Sequence, residues 1–245
     1  MSATIVVCAH NEESYIGDCL CAILQQTVNP KFVVVVADRC ADRTVSIARK
    51  ELANQKSLIV EKTQVSWRNS ISENLQIGFS RATGDALVVV DADIIIPRHF
   101  LQKLLTELSD FAVVSAVVRT DPSQGPLNRL VSIWELTYGL TPLAEQPRGG
   151  ARAISMEALK EIGGIRDVYA WESDLDRRLR RAGFKVGLDR SMSVLHRRKM
   201  TVARSIAYQI QAGRARRELG ISLLRTFLHS VIRLRPFVMV GYLGS

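Results

Sequence analysis

Short apolar runs alternate with amphipathic stretches along the first half of the chain. Residues 4–9 (TIVVCA), 31–38 (KFVVVVAD), 57–62 (SLIVEK), 85–93 (DALVVVDAD) and 111–118 (FAVVSAVV) read as strands. Helical patterns lie between them, from Ser14 to Gln26, from about Arg43 to Asn54, near Ser70 to Ala82, and from Pro97 to Ser109, where proline suits a first helical turn. Strands alternating with helices of about 10–15 residues predict a largely parallel α/β sheet. The near-continuous apolar character of the strands predicts cover on both faces. No internal repeat or low-complexity linker interrupts the series.

The second half is less regular. Residues 127–141 read as a helix carrying Trp134 and Tyr138. A glycine-containing segment, PRGGARAIS, precedes the short helix MEALKEIGG, and WESDLDRRLRRAG is a further helix with a glycine stop. KVGLDRSMSVLH is strand-like, and two helices are expected after it. The last, about 221–235, places Leu224, Phe227, Leu228 and Val231 on one side and Ser222, Arg225, His229 and Arg233 on the other. Its arginines and the ten residues after Arg235 rule it out as a membrane span, which needs roughly twenty apolar residues. Packing on the protein's own sheet, on a second subunit or on a membrane surface all fit the pattern.

Composition changes this picture in two places. At 245 residues with 47% apolar content the chain is long enough for a full core. The four cysteines, at 8, 19, 21 and 40, match no common zinc spacing and read as small buried hydrophobes in a reducing compartment. With no basic leader before residues 4–9, the expected location is cytoplasmic. The net charge of +9 is uneven, since Arg177 to Arg235 holds sixteen Lys or Arg against Asp189 and Glu218. That concentration points to an anionic partner there, with a peripheral anionic membrane on the inner face of the cell membrane as one option. A nucleic-acid partner is not expected, because the basic residues are not interleaved with aromatics.

Candidate chemistry sits at strand ends, where ligands bind in open α/β sheets. AHNEE (9–13) follows the first strand, ADRCADRT (37–44) the second, and DADI (91–94) the fourth. Glu12, Asp38, Asp91 and Asp93 therefore converge on one rim. Two nearby carboxylates repel unless a cation accompanies them. Hard oxygen ligands suit Mg2+ or Mn2+, which take one or two carboxylates plus substrate phosphates. A phosphatase of the haloacid dehalogenase type would carry its D-x-D on the first strand, and a nucleotidyltransferase would need a glycine-rich N-terminal loop.

These pieces, in order, resemble a family 2 glycosyltransferase of the GT-A fold. VVCAHNEESYIGDCLCAILQQ is similar to that family's opening strand and Asn-Glu-Glu turn, and FVVVVADRCADRT to its base-reading strand. GDALVVVDADIIIP resembles its D-x-D strand, GGARAISMEALKEIGGI its acceptor-side segment, and WESDLDRRLRRAGFKV its acidic helix. The resemblance implies a Rossmann-like, mixed but mainly parallel sheet flanked by helices, with C-terminal amphipathic helices. Residues 1–200 would form the transferase domain, with 1–118 binding the nucleotide sugar and 119–200 the acceptor, and 201–245 a basic helical extension.

By the same resemblance, Ala9, His10, Asn11, Glu12 and Ala92 would line the nucleotide, and Asp38 would bind the base. Asp91 would face ribose or metal, and Asp93 would hold the metal and diphosphate, with His196 as a further metal ligand. Arg68 would contact phosphate. Gly150 and Trp171 would meet the acceptor. The family's usual Glu-Asp-x-Asp-Leu places Trp171 and Glu172 at its first two positions, so Glu172 is the expected catalytic base. Asp174 and Asp176 stand four residues before Arg178 and Arg180, which predicts structural ion pairs. Arg39 stands where the family usually has glycine. The implied reaction is an inverting, metal-dependent transfer from a UDP- or GDP-sugar to a saccharide or polyprenyl-linked acceptor. A polyprenyl-phosphate sugar synthase and a non-catalytic nucleotide-sugar-binding protein are the alternatives.

Overall fold

A computed structural model describes residues 1–136 and 150–244. Among the described residues, eight strands form one sheet in the order β3-β2-β1-β4-β7-β6-β8-β5. Four of them, β1 (Ala3–Ala9), β2 (Phe32–Asp38), β3 (Ser57–Lys62) and β4 (Ala86–Asp91), are mutually parallel. Their connections are the helices α1 (Ile16–Leu24), α2 (Thr44–Glu51) and α3 (Ser70–Arg81). The two-residue strand β5 (Ile94–Ile95) and helix α4 (Phe100–Glu107) follow. Pro97 stands three residues ahead of α4, in the turn where Phe100 N–H donates to its carbonyl (3.0 Å).

The far half of the sheet is mixed. β7 (Ala151–Ser155) runs antiparallel to both β4 and β6 (Val113–Thr120), while β8 (Val186–His196) runs parallel to β6. β7 was not foreseen as a strand, because Arg152 interrupts its apolar pattern. Helix α5 (Pro126–Leu136) occupies the start of the helix expected over 127–141, whose remainder, with Tyr138, lies outside the described residues. α6 (Met156–Glu161) and α7 (Trp171–Arg181) match their expected segments. The chain then adds three helices, not two: α8 (Val202–Glu218), α9 (Leu223–Ile232) and α10 (Phe237–Leu243).

Strand alternation divides the core into two layers. Ile5, Val7, Val33, Val35, Val88 and Val90 pack with α1, α2 and α4 through Leu20, Ala48 and Leu104. Val6, Val34, Val36, Leu87 and Val89 pack on the other side with Leu75, Leu159, Leu175 and Leu179 of α3, α6 and α7. The covered apolar runs are the reason the first four strands were legible as a parallel sheet. Among the described residues, no helix is long and apolar enough to cross a membrane.

Candidate active site

Register fixes the rim. Cys8 of β1 lies beside Asp91 of β4 and Val36 of β2, and Asp38 beside Lys62, so the carboxyl ends of β1, β2 and β4 finish together. Above them opens a cleft of about 840 Å³. Ala9, His10, Glu12, Asp38, Asp91, Ala92, Asp93, Gly150, Glu172 and His196 all line it. Ten of the thirteen residues expected at the site are thereby brought together by five strand ends and the first turn of α7.

The other three lie elsewhere. Arg68 points away from the cleft, donating to the Asp167 carbonyl (2.9 Å) and pairing with Glu218 (3.3 Å), so it ties the loop before α3 to α8. Asn11, with φ 54°, accepts a hydrogen bond from Ala41 N–H (2.8 Å) and thereby pins the first rim loop to the second. Trp171 is buried, with the guanidinium of Arg152 5.4 Å from its ring centroid. It braces the start of α7 from inside and does not line the cleft.

Asp38 is buried at the end of β2 and accepts from Arg39 Nε (2.8 Å), from Asn74 (3.3 Å) and from Ser70 Oγ. Burial works against the charged carboxylate, but these hydrogen bonds and Lys62 outweigh it and hold its pKa well below the usual range. Arg39 has φ 49°, in the left-handed region that favours glycine. The arginine thus holds a left-handed backbone and uses its side chain to clasp Asp38. His10 Nδ1 donates to the Asp38 carbonyl (2.6 Å), joining the first two rim loops again.

Asp91 and Asp93 differ sharply. Asp93 is 2% exposed, accepts from His196 Nε2 (3.0 Å) and is bonded by Arg198 Nε. Burial pushes its pKa up, but His196 and Arg198 prevail and bring it to about 2. Burial together with the charge of Asp93 raises Asp91 to about 7. Gly150 explains how the pair is packed: a Cβ there would lie 2.5 Å from Asp91 Oδ2. Arg198 also bonds Glu12, whose pKa is raised by burial against the opposing pull of that guanidinium. Sequence reasoning did not place Arg198 at the centre of the site. Its only signal was membership of the basic run after His196.

The donor set suits a divalent ion completed by substrate. Asp93 is ionised, His196 adjoins it and Asp91 lines the same cleft, but among the described residues no three His, Cys, Asp or Glu side chains stand close enough to hold an ion unaided. Phosphate oxygens would supply the remaining ligands. Burial and nearby Asp91 push the Cys8 thiol up, so this cleft cysteine is protonated and no nucleophile.

The acidic helix is braced separately from the cleft. Asp174 pairs with Arg178 Nε (2.7 Å), as its spacing predicts. Asp176 does not pair with Arg180. It faces inward and accepts from fully buried Arg152 (Nη1, 3.2 Å), whose Nε donates to Ser115 (3.1 Å). Only Glu172, in the first turn of α7, looks into the cleft. The opposite wall comes from the end of the chain: Ser205, Tyr208 and Gln209 of α8, and Arg233, Leu234 and Arg235 after α9. Arg235 stacks 5.9 Å from the Trp134 centroid.

Residues 4–163 match the family described as Glycosyl transferase family 2. An uncharacterized glycosyltransferase of Haemophilus influenzae is 29% identical over 107 residues, 43% of this chain but only 32% of that relative, so the matched region spans about a third of its length. Among solved structures, the mannosyltransferase PcManGT from Pyrobaculum calidifontis, in complex with GDP-Man and Mn2+, superposes with a TM-score of 0.67 at 22% identity, over 98% of this chain and 69% of that one. Glucosyl-3-phosphoglycerate synthase from Mycobacterium tuberculosis, with Mn2+, UDP-glucose and phosphoglyceric acid, gives 0.62 at 21% identity, over 90% and 80%. At these identities the structural likeness establishes the fold, which is GT-A. The chain belongs to glycosyl transferase family 2.

Proposed function

We propose that the chain transfers a sugar, with inversion, from a nucleoside-diphosphate sugar to an acceptor held between Glu172 and the C-terminal helices. One observation carries this reading: Asp38 at the end of β2, Asp91 and Asp93 at and just past the end of β4, and Glu172 in the first turn of α7 share one cleft. Asp38 and the loop from Ala9 to Glu12 would take the nucleoside. Asp93, with His196 and Asp91, would hold a divalent ion, Mn2+ or Mg2+, whose chemistry is to neutralise charge on the departing diphosphate. Arg198 would turn from Glu12 and Asp93 toward the phosphates as the donor enters. Glu172 would take the proton from the acceptor hydroxyl as its oxygen attacks the anomeric carbon.

Glu172→Gln tests the assignment. It is expected to lower turnover by about 100-fold or more while leaving nucleotide-sugar affinity within a few-fold. Normal turnover in that variant would refute the base. Asp93→Ala is expected to abolish the dependence of donor binding on Mn2+, read by calorimetry. The location of the protein follows the acceptor, cytoplasmic for a soluble saccharide and peripheral on the membrane for a lipid-linked one. Arg198, Arg233 and Arg235 on the cleft wall favour an anionic acceptor. With a phosphate as nucleophile little base would be needed, and the same Glu172→Gln variant would then retain most of its rate.

A further inference from the structure

The C-terminal helices reverse the usual placement of polar and apolar side chains. On α9, Thr226, Ser230 and Arg233 are buried at successive turns, and Arg216 Nε donates to Thr226 Oγ1 (3.3 Å). The apolar residues point outward: Leu224 is 68% exposed, Phe227 51%, Leu228 49% and Val231 55%. The face continues through Leu234, 81% exposed, to Phe237, Val240 and Leu243 of α10. Single exposed leucines are ordinary, but a face this continuous marks a contact surface. α10 is fixed beneath it by close backbone packing, with Gly213 of α8 and Gly241 meeting where no side chain would fit.

Leu234 carries the backbone cost of this arrangement. Its φ is 50°, the left-handed region in which glycine would be the unstrained choice after a helix. Leucine there holds an apolar tip at the mouth of the cleft, beside Arg233 and Arg235.

Charge selects the occupant. Arg225 and Arg217 are exposed on α9 and α8, and residues 202–244, which form α8 to α10, carry seven arginines against the single acid Glu218. A second copy of the chain would meet this surface with the same surface in a two-fold pairing, setting like charges together. An anionic bilayer offers apolar depth and complementary charge at once.

We propose that the α9–α10 hairpin lies on an anionic membrane surface, with Leu224, Phe227, Leu228, Val231 and Leu234 at the acyl boundary. The acceptor is then an amphiphile whose anionic headgroup leaves the bilayer past Leu234 and enters the cleft beside Arg235. The acceptor half of this inference rests on the transferase reading above. The membrane half does not.

The test is co-sedimentation of the full chain with vesicles of phosphatidylcholine alone and of equimolar phosphatidylcholine and phosphatidylglycerol. Calorimetry of UDP- and GDP-sugars with Mn2+ runs on the same preparations. Wild type is expected to bind only the anionic vesicles. The double variant Leu224→Ser, Phe227→Ser, both outside the cleft, is expected to bind them at least tenfold more weakly, the size set by two withdrawn apolar side chains, with melting temperature and donor affinity retained. Absence of anionic-vesicle binding overturns the proposal. So does undiminished binding by the double variant, which would mean adsorption through arginines alone. A wild-type dimer that the double variant dissociates, with no vesicle binding, assigns the face to a second copy and overturns it too. Vesicle binding without any donor binding would remove the transferase reading and the acceptor half with it.

Discussion

The sheet and the C-terminal helices solve opposite problems with the same residue types. In β2, Val33, Val34, Val35 and Val36 are wholly buried because helices cover both faces of the sheet. In α9, leucines and a phenylalanine of equal hydrophobicity face outward, while a threonine, a serine and an arginine face in. The difference lies in what each element packs against. The strands abut apolar helices. α9 abuts α10 and Arg216 of α8, and its inner face bonds there through Thr226, which accepts from Arg216, and Ser230, whose Oγ donates to the Arg235 carbonyl. An amphipathic pattern therefore announces two faces without saying which one meets the protein.

The contrast can be broken first at its most charged point inside the sheet. Arg152→Met leaves Asp176 buried without its guanidinium and is expected to cost about 3–5 kcal/mol in denaturant unfolding. Adding Asp176→Leu is expected to recover much of that loss, because two apolar groups replace the pair. Leu87→Ala, in the covered sheet, comes next at about 2–5 kcal/mol by the same measurement.

The helices respond differently, through pH. Burial, then the charges of Arg216, Arg235 and Arg233, lower His229 from 6.5 to about 4. The unfolded chain therefore takes up this proton first as pH falls. The stability attached to neutral His229 is complete above 6.5 and declines toward 4. Melting temperatures across that interval are expected to fall less steeply for His229→Gln than for wild type. The smallest effect closes the comparison: Leu228→Ser on the outward face of α9 is expected to change unfolding free energy by no more than about 0.5 kcal/mol. A loss like that at Leu87 would show that the face is covered within the monomer.

The first four strands and the rim they share were legible because uninterrupted valine runs have few other uses. The D-x-D strand end and Asp38 followed from the same local patterns, whereas the register of Glu172 came only from the resemblance of WESDLDRRLRRAG to the family's acidic helix. What was not legible depended on distant partners. β7 was hidden by Arg152, whose charge is tolerable only because Asp176 and Ser115 meet it inside the sheet. Trp171 was expected at the acceptor but packs inward against that same arginine. Arg68 was expected at phosphate, and its true partners, Asp167 and Glu218, lie far along the chain. The direction of α9 could not be read at all, since nothing in its own residues records the polar wall opposite.

The bond between Arg198 and Glu12 joins residues 186 positions apart. A nascent chain can lay down β1 to β4 and their helices while still tethered to the ribosome, since early segments fold as they emerge. The anionic rim at Glu12 and Asp93 has no arginine to meet it until residue 198 is released, and the wall opposite Glu172 comes later still. Synthesis therefore delivers the acids first and their countercharge last. A chain truncated before β8 would keep β1 to β4 with β7 and β6 beside them, but Glu12 and Asp93 would stand without Arg198 and the cleft without its far wall, unable to enclose a substrate.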